Sequence, residues 1–327
     1  MRLSPLLIPM AVVACGGQVA ASPPGNDADS SEGAKAGCDS GAATPAVVFQ
    51  GSRFLDYLDA HGDRLVVVGD DGVFSITKDC GQVVMLGQEV GYTGPAWSSL
   101  GDVFWATYPD PLASSLPMQL VKVTAAGGAA QSFETPVYGQ LAGISGDAEN
   151  LYTATSGGVF AIPLAGGAVT TLASGLHGAA GGGVAVGGGR LFYVDESLGA
   201  LRAVPIHGGP VTTVYAIGFN LDSQVNSLAA DATAVYWGTS NGVLRMSQDG
   251  GTPTTLLTTS GAAWVALDDT FVYVLDSGSG AVGRLSKAGG AQQVLAQASA
   301  GASGLISDTT NLYWIDGHGR TVMKVSK

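Results

Sequence analysis

One short apolar pattern recurs seven times along this chain, and it constrains the fold more than any other feature. It reads Leu65-Val-Val-Val, Val103-Phe-Trp-Ala, Leu151-Tyr-Thr-Ala, Leu191-Phe-Tyr-Val, Val235-Tyr-Trp-Gly, Val272-Tyr-Val-Leu and Leu312-Tyr-Trp-Ile. The starts lie 38, 48, 40, 44, 37 and 40 residues apart. Repeats of about 40–45 residues, each holding several short strands, are the pattern of propeller blades. The sequence therefore predicts an all-β, seven-bladed β-propeller over residues 46–327.

Each repeat divides into four strands, A to D. In the fifth, Ser227-Leu-Ala-Ala is A, Val235-Tyr-Trp-Gly is B, Gly242-Val-Leu-Arg-Met-Ser is C and Thr254-Thr-Leu-Leu-Thr is D. Polar A–B turns recur at Gly146-Asp-Ala, Asp231-Ala-Thr, Asp268-Asp-Thr and Asp308-Thr-Thr, where aspartate bonds its own backbone. The C–D hairpins turn on Gly127-Gly128, Gly166-Gly167, Gly208-Gly209, Gly250-Gly251 and Gly289-Gly290, because tight hairpins need positive φ. The last repeat lacks a D strand, while Ala46–Gln50 precedes the first A strand. That segment is expected to complete the last blade and close the ring.

The ends and composition bound the function. Residues 1–14 read as a lipoprotein signal peptide: Arg2, a short apolar run broken by Pro5 and Pro9, then Val12-Val13-Ala14-Cys15. That ending resembles the bacterial lipobox, which implies lipidation of Cys15 and, with Gly16 following, placement at the outer membrane. Residues 15–45 are rich in Gly, Ala, Ser, Pro and Asp and read as a flexible linker. Formal net charge is −12, with no cluster among the 14 Lys and Arg, which argues against nucleic acid. The membrane is expected to be met through the lipid alone. Cys38 and Cys80 are left as a possible disulfide, because Cys80 replaces a C–D turn glycine on the face where the closing strand begins.

The motifs Leu312-Tyr-Trp-Ile-Asp and Val235-Tyr-Trp-Gly-Thr resemble YWTD-type blades, and also NHL- and TolB-like bacterial propeller lipoproteins. The resemblance covers residues 46–327 and implies protein or peptide binding. Virginiamycin-type lyases are similar in their seven-bladed layout, but their histidine pattern is not matched here.

Propellers bind ligands on the face formed by B–C and D–A loops. Candidates on B–C loops are Asp70 and Asp71, the long loop from Tyr108 to Pro117, Asp195 and Glu196, Asp276, Asp316, His318 and Arg320. Candidates assigned to D–A loops are Tyr92, Trp97, Tyr138, His177 and Phe219. Aromatic rings with scattered carboxylates suit a peptide or sugar. His177 and His318 are the candidates for a general base in a lyase or hydrolase. No zinc spacing, phosphate loop or nucleophile elbow occurs, so neither metal nor cofactor is expected. The sequence favours an envelope-anchored module binding a protein, peptide or glycan. An envelope enzyme and a structural subunit of an envelope assembly are the alternatives.

Overall fold

The computed structural model describes residues 13–14, 18–19, 44–51, 54–79, 82–87, 92–99, 101–108, 117–139, 141–174, 183–218, 225–316 and 320–327. Cys15, Cys38 and Cys80 lie outside them, as does most of residues 1–45. Every regular element among the described residues is a strand.

The strands form seven blades. Blade one is Leu55–His61, Arg64–Gly69, Gly72–Thr77 and Gln82–Gly87, hydrogen-bonded in that order. Blades two to six follow over 92–138, 141–174, 184–216, 227–258 and 263–297, each a four-stranded antiparallel meander. Blade seven takes Ser303–Ser307, Asn311–Asp316 and Thr321–Ser326 from the C-terminal end. Its outer strand is Ala46–Gln50, antiparallel to Thr321–Ser326 with Ala46 opposite Lys324 and Gln50 opposite Thr321. Two short strands, Val13–Ala14 and Gln18–Val19, lie along the outer edges of blades seven and one. Each innermost strand packs against the next, and that of blade seven packs against that of blade one, so the ring is closed.

Burial follows from strand alternation. Successive side chains point to opposite faces of a strand, and each blade face meets a neighbouring blade. In blade one, Leu65 and Val67 enter a cluster with Tyr313 and Ile315 of blade seven. Val66 and Val68 enter another with Val103 and Trp105 of blade two. Five further clusters fill the remaining seams. This is why the B strands are apolar throughout rather than alternating: both of their faces are interior.

The glycine pairs have the conformation expected of them. At the C–D turns the first glycine has φ of 92, 83, 85, 91 and 90° and the second 140, 124, 142, 122 and 119°. A side chain in that region is strained.

The A–B turns carry more than sequence reading assigned to them. In blades three, five, six and seven, one oxygen of Asp147, Asp231, Asp268 or Asp308 accepts the amides two and three residues on, at 2.8–2.9 Å. The other oxygen accepts the hydroxyl of the tyrosine five residues on, Tyr152, Tyr236, Tyr273 or Tyr313, at 2.5–3.1 Å. The remaining blades have Val66, Phe104 and Phe192 at the tyrosine position, and His61, Ser99 and Gly187 at the aspartate position. Hydroxyl and carboxylate are thus present together or absent together, as expected when an unpaired buried polar group is costly.

Three of these pairs also bind the next blade. Lys287 reaches Asp231 at 2.9 Å, Lys327 reaches Asp268 at 3.1 Å, and Lys78 reaches Asp308 at 3.0 Å. Each lysine directly follows the C strand of the succeeding blade. Ala125, Leu164, Ile206 and Gln248 occupy that position elsewhere. The seams from blade five round to blade one are therefore fastened by ions.

Candidate functional site

The A–B and C–D turns fill one face of the ring. The B–C turns and D–A connections fill the other, called here the loop face. Its framework is set by the residue at or just after the end of five of the B strands. Thr155 accepts the amide of Gly157, and Thr239 that of Asn241, so both cap their own turns. Asp195 accepts Ser197 Oγ and the Leu198 amide and pairs with Arg202 at 3.1 Å. Asp276 accepts Ser260 N and Oγ, Gly278 N and Ser279 Oγ. Asp316 accepts Ser299 N and Oγ and the Trp314 indole N–H. Asp276 and Asp316 are mostly buried and tie a B–C turn to the preceding D–A connection. Burial alone would raise the Asp276 carboxyl; the donors around it outweigh that and lower it.

The other sequence candidates separate into two groups. Tyr92, Tyr108 and Tyr138 stand on three strands at the loop-face end of blade two: Tyr92 lies opposite Tyr108, and Tyr138 opposite Pro117. Trp97 and Tyr92 belong to an A strand, Tyr92–Ser99, and not to a D–A loop. That is a correction: the strand starts earlier because Tyr92 and Thr93 pair with Tyr108 and Thr107 ahead of an irregularity in register that accommodates Pro95. Trp97 packs on Phe104, with ring centroids 6.2 Å apart, and on Gly146 of blade three. Arg320 forms the second group with Phe54, its guanidinium 5.5 Å from the ring centroid. The Asp70 amide donates to the Phe54 carbonyl at 3.0 Å, which places this pair beside the blade-one turn. His177, Phe219 and His318 lie outside the described residues.

The seven A strands surround a central channel of about 350 Å3. Trp97, Trp264, Tyr57, Leu228 and Ile306 supply most of its apolar wall, and Asp56, Asp59, Asn226 and Ser227 supply polar groups. Asp59 is held across the seam by Ser98, whose amide and hydroxyl donate at 2.7 and 2.6 Å. The Asp56 carboxyl is raised above its ordinary value, first by burial and then by the charge of Asp70. Asn226 Nδ2 is buried and donates to no acceptor among the described residues. Sequence reading missed this set, since A-strand residues look like any half-buried strand until the ring brings seven together.

The fold is similar to that of several solved structures. Virginiamycin B lyase from Staphylococcus aureus superposes with a TM-score of 0.67 at 12% identity, over 87% of this chain and 99% of that one. BamB from Moraxella catarrhalis gives 0.50 at 16% identity, covering 83% and 81%. The propeller in a nidogen/laminin complex gives 0.50 at 17% identity, covering 64% and 86%. At such identities the likeness concerns fold. No family model matches the chain, and no curated protein matches it in sequence.

The two ring faces differ in their exposed apolar side chains. Among the described residues, six large hydrophobic side chains are exposed. Val47, Met85 and Val294 lie on outer strands of blades seven, one and six. Phe54, Tyr138 and Leu198, 52%, 46% and 53% exposed, all lie on the loop face. The opposite face has none. Among the described residues no three His, Cys, Asp or Glu side chains are grouped to hold a metal, and no helix is long and apolar enough to cross a membrane.

Proposed function

We propose that this chain is an envelope lipoprotein, anchored through Cys15 and spaced by residues 16–45, whose loop face binds a protein, peptide or glycan. The observation that carries the binding reading is the confinement of Phe54, Tyr138 and Leu198 to the loop face. Exposed apolar groups rimmed by polar ones mark surfaces that something covers. Tyrosine and phenylalanine contribute large contact areas at small entropic cost. The fold likeness to BamB and to the nidogen/laminin complex agrees with a partner-binding ring, and PorZ, described as a bacterial surface component, shares the fold at a TM-score of 0.61.

The test is co-purification from the native envelope with a tag inside residues 16–45. A stoichiometric partner that is lost in a Phe54→Ser, Tyr138→Ser double variant of unchanged melting temperature supports the reading. A partner retained by that variant, with no glycan bound either, sinks it. Anchoring is tested by lipid labelling of the wild type against Cys15→Ser. The enzyme alternative is tested by His177→Ala and His318→Ala: undiminished biological activity in both removes it.

A further inference from the structure

We infer that the channel receives a basic group, the side chain of a lysine or arginine on the partner. The inference rests on the reading of the loop face as a binding surface and specifies what enters its centre. The first observation is the charge of the wall. Of the described residues lining the channel, two are carboxylates, Asp56 and Asp59, and none is Lys, Arg or His. The second is how those carboxylates are treated. Asp59 is satisfied by the two Ser98 donors. Among the described residues no donor or cation meets Asp56, and its neighbour in charge is another carboxylate, Asp70. The rim cation Arg320 lies over the Phe54 ring and is not part of the wall.

A carboxylate on the channel wall that meets no counter-charge among the described residues gains most when a cation enters. The rest of the wall suits a basic side chain. Trp97, Trp264 and Tyr57 line the same space, and aromatic rings attract ammonium and guanidinium groups while burying their methylene stems. At about 350 Å3 the channel is near the small end of ligand sites, which run from about 300 to 1,000 Å3. It therefore suits one side chain and not a folded element.

The experiment uses the full chain and arrays of capped hexapeptides that carry Lys, Arg, Gln or Glu at one central position. Lys and Arg peptides should bind and Gln and Glu peptides should not. Asp56→Asn, checked for an unchanged melting temperature, should weaken binding by roughly tenfold or more, the loss expected when one partner of a desolvated charge pair is removed. Asp249→Asn, an exposed change on the opposite face, should leave it unaltered. Equal binding of Gln and Lys peptides that is still abolished by Phe54→Ser overturns the basic-group assignment and leaves the loop-face reading standing. Binding indifferent to Phe54→Ser overturns both, and no peptide bound at all overturns the basic-group assignment alone.

Discussion

Asp308 Oδ2 accepts the hydroxyl of Tyr313 at 2.9 Å while Lys78 of the next blade approaches the same oxygen at 3.0 Å. One carboxylate thus fixes a turn, orients an aromatic ring inside its own blade, and joins the first blade to the last. Burial raises the Asp308 carboxyl; the amides of Thr310 and Asn311, with Lys78 and Tyr313, outweigh it and hold the group down at about 2.

Asp308→Asn should therefore cost about 1.5–3 kcal/mol at neutral pH, the range for hydrogen bonds that involve a charge. The folded value lies below the unfolded one of about 3.9, so the contribution is present above the unfolded value and is lost as pH falls through the folded one. Urea melts of wild type and variant should differ most above about pH 4 and converge toward pH 2. A constant gap down to pH 2 would refute the assignment.

The matched presence of tyrosine and aspartate predicts the outcome of the reverse change. Phe104→Tyr and Phe192→Tyr would each bury a hydroxyl where Ser99 or Gly187 stands in place of the carboxylate. Each should lower stability by about 1–3 kcal/mol. Phe192→Tyr cannot be rescued by Gly187→Asp, because a Cβ at Gly187 would lie 2.4 Å from the Asp231 carbonyl oxygen. Chemical denaturation of the two single variants and the double variant decides the point.

Tyr193 is the opposite case. It is fully buried, and its hydroxyl meets no protein hydrogen-bond partner. Burial pushes the phenol up to about 12, opposed by Arg202 and assisted by Asp195. Tyr193→Phe should be neutral or stabilising by up to about 1 kcal/mol, unlike the usual cost of a core change. With a folded value above the unfolded one of about 10, the favourable contribution is complete below pH 10 and is lost as pH rises toward 12. The variant should accordingly resist alkali better than wild type, as followed by circular dichroism between pH 9 and 12. A destabilised variant would show that the hydroxyl has a partner.

Phe49 of the blade-seven outer strand is fully buried and stacks at 5.3 Å on Phe74 of blade one. Phe49→Ala should cost about 3–5 kcal/mol, while Val47→Ala, at an exposed position of the same strand, should cost under about 1 kcal/mol. Thermal melts of the pair measure how much the ring depends on that strand. Equal losses would mean that the strand is held by backbone pairing alone.

The blades were legible in the sequence because a B strand buried on both faces must be apolar at every position, and because glycine pairs mark hairpins that need positive φ. The aspartates were legible as turn formers, since their amide partners lie two and three residues on. Their tyrosine partners were equally local, five residues on, and the recurring Asp-x-x-x-x-Tyr spacing would have revealed them. The lysines were not legible, because they arrive from the following blade and only the ring brings them near. The channel was hidden for the same reason: Asp56, Trp97, Asn226 and Trp264 are far apart in the chain and converge only when seven A strands do. The placement of Trp97 failed locally, where Gly91 and Pro95 resemble a loop although the strand passes through Pro95.

Ala46–Gln50 has a consequence for the order in which the molecule assembles. It is the earliest strand of the seven blades to leave the ribosome, yet its pairing partner, Thr321–Ser326, is the latest. Until that partner exists, Val48 and Phe49 lack the blade-seven half of the interior they enter, and the seam between blades seven and one stays open. Contacts of such long sequence separation form slowly. Completion of the ring therefore waits for the last blade, and the interval before it is when the chain most needs protection from aggregation and proteolysis.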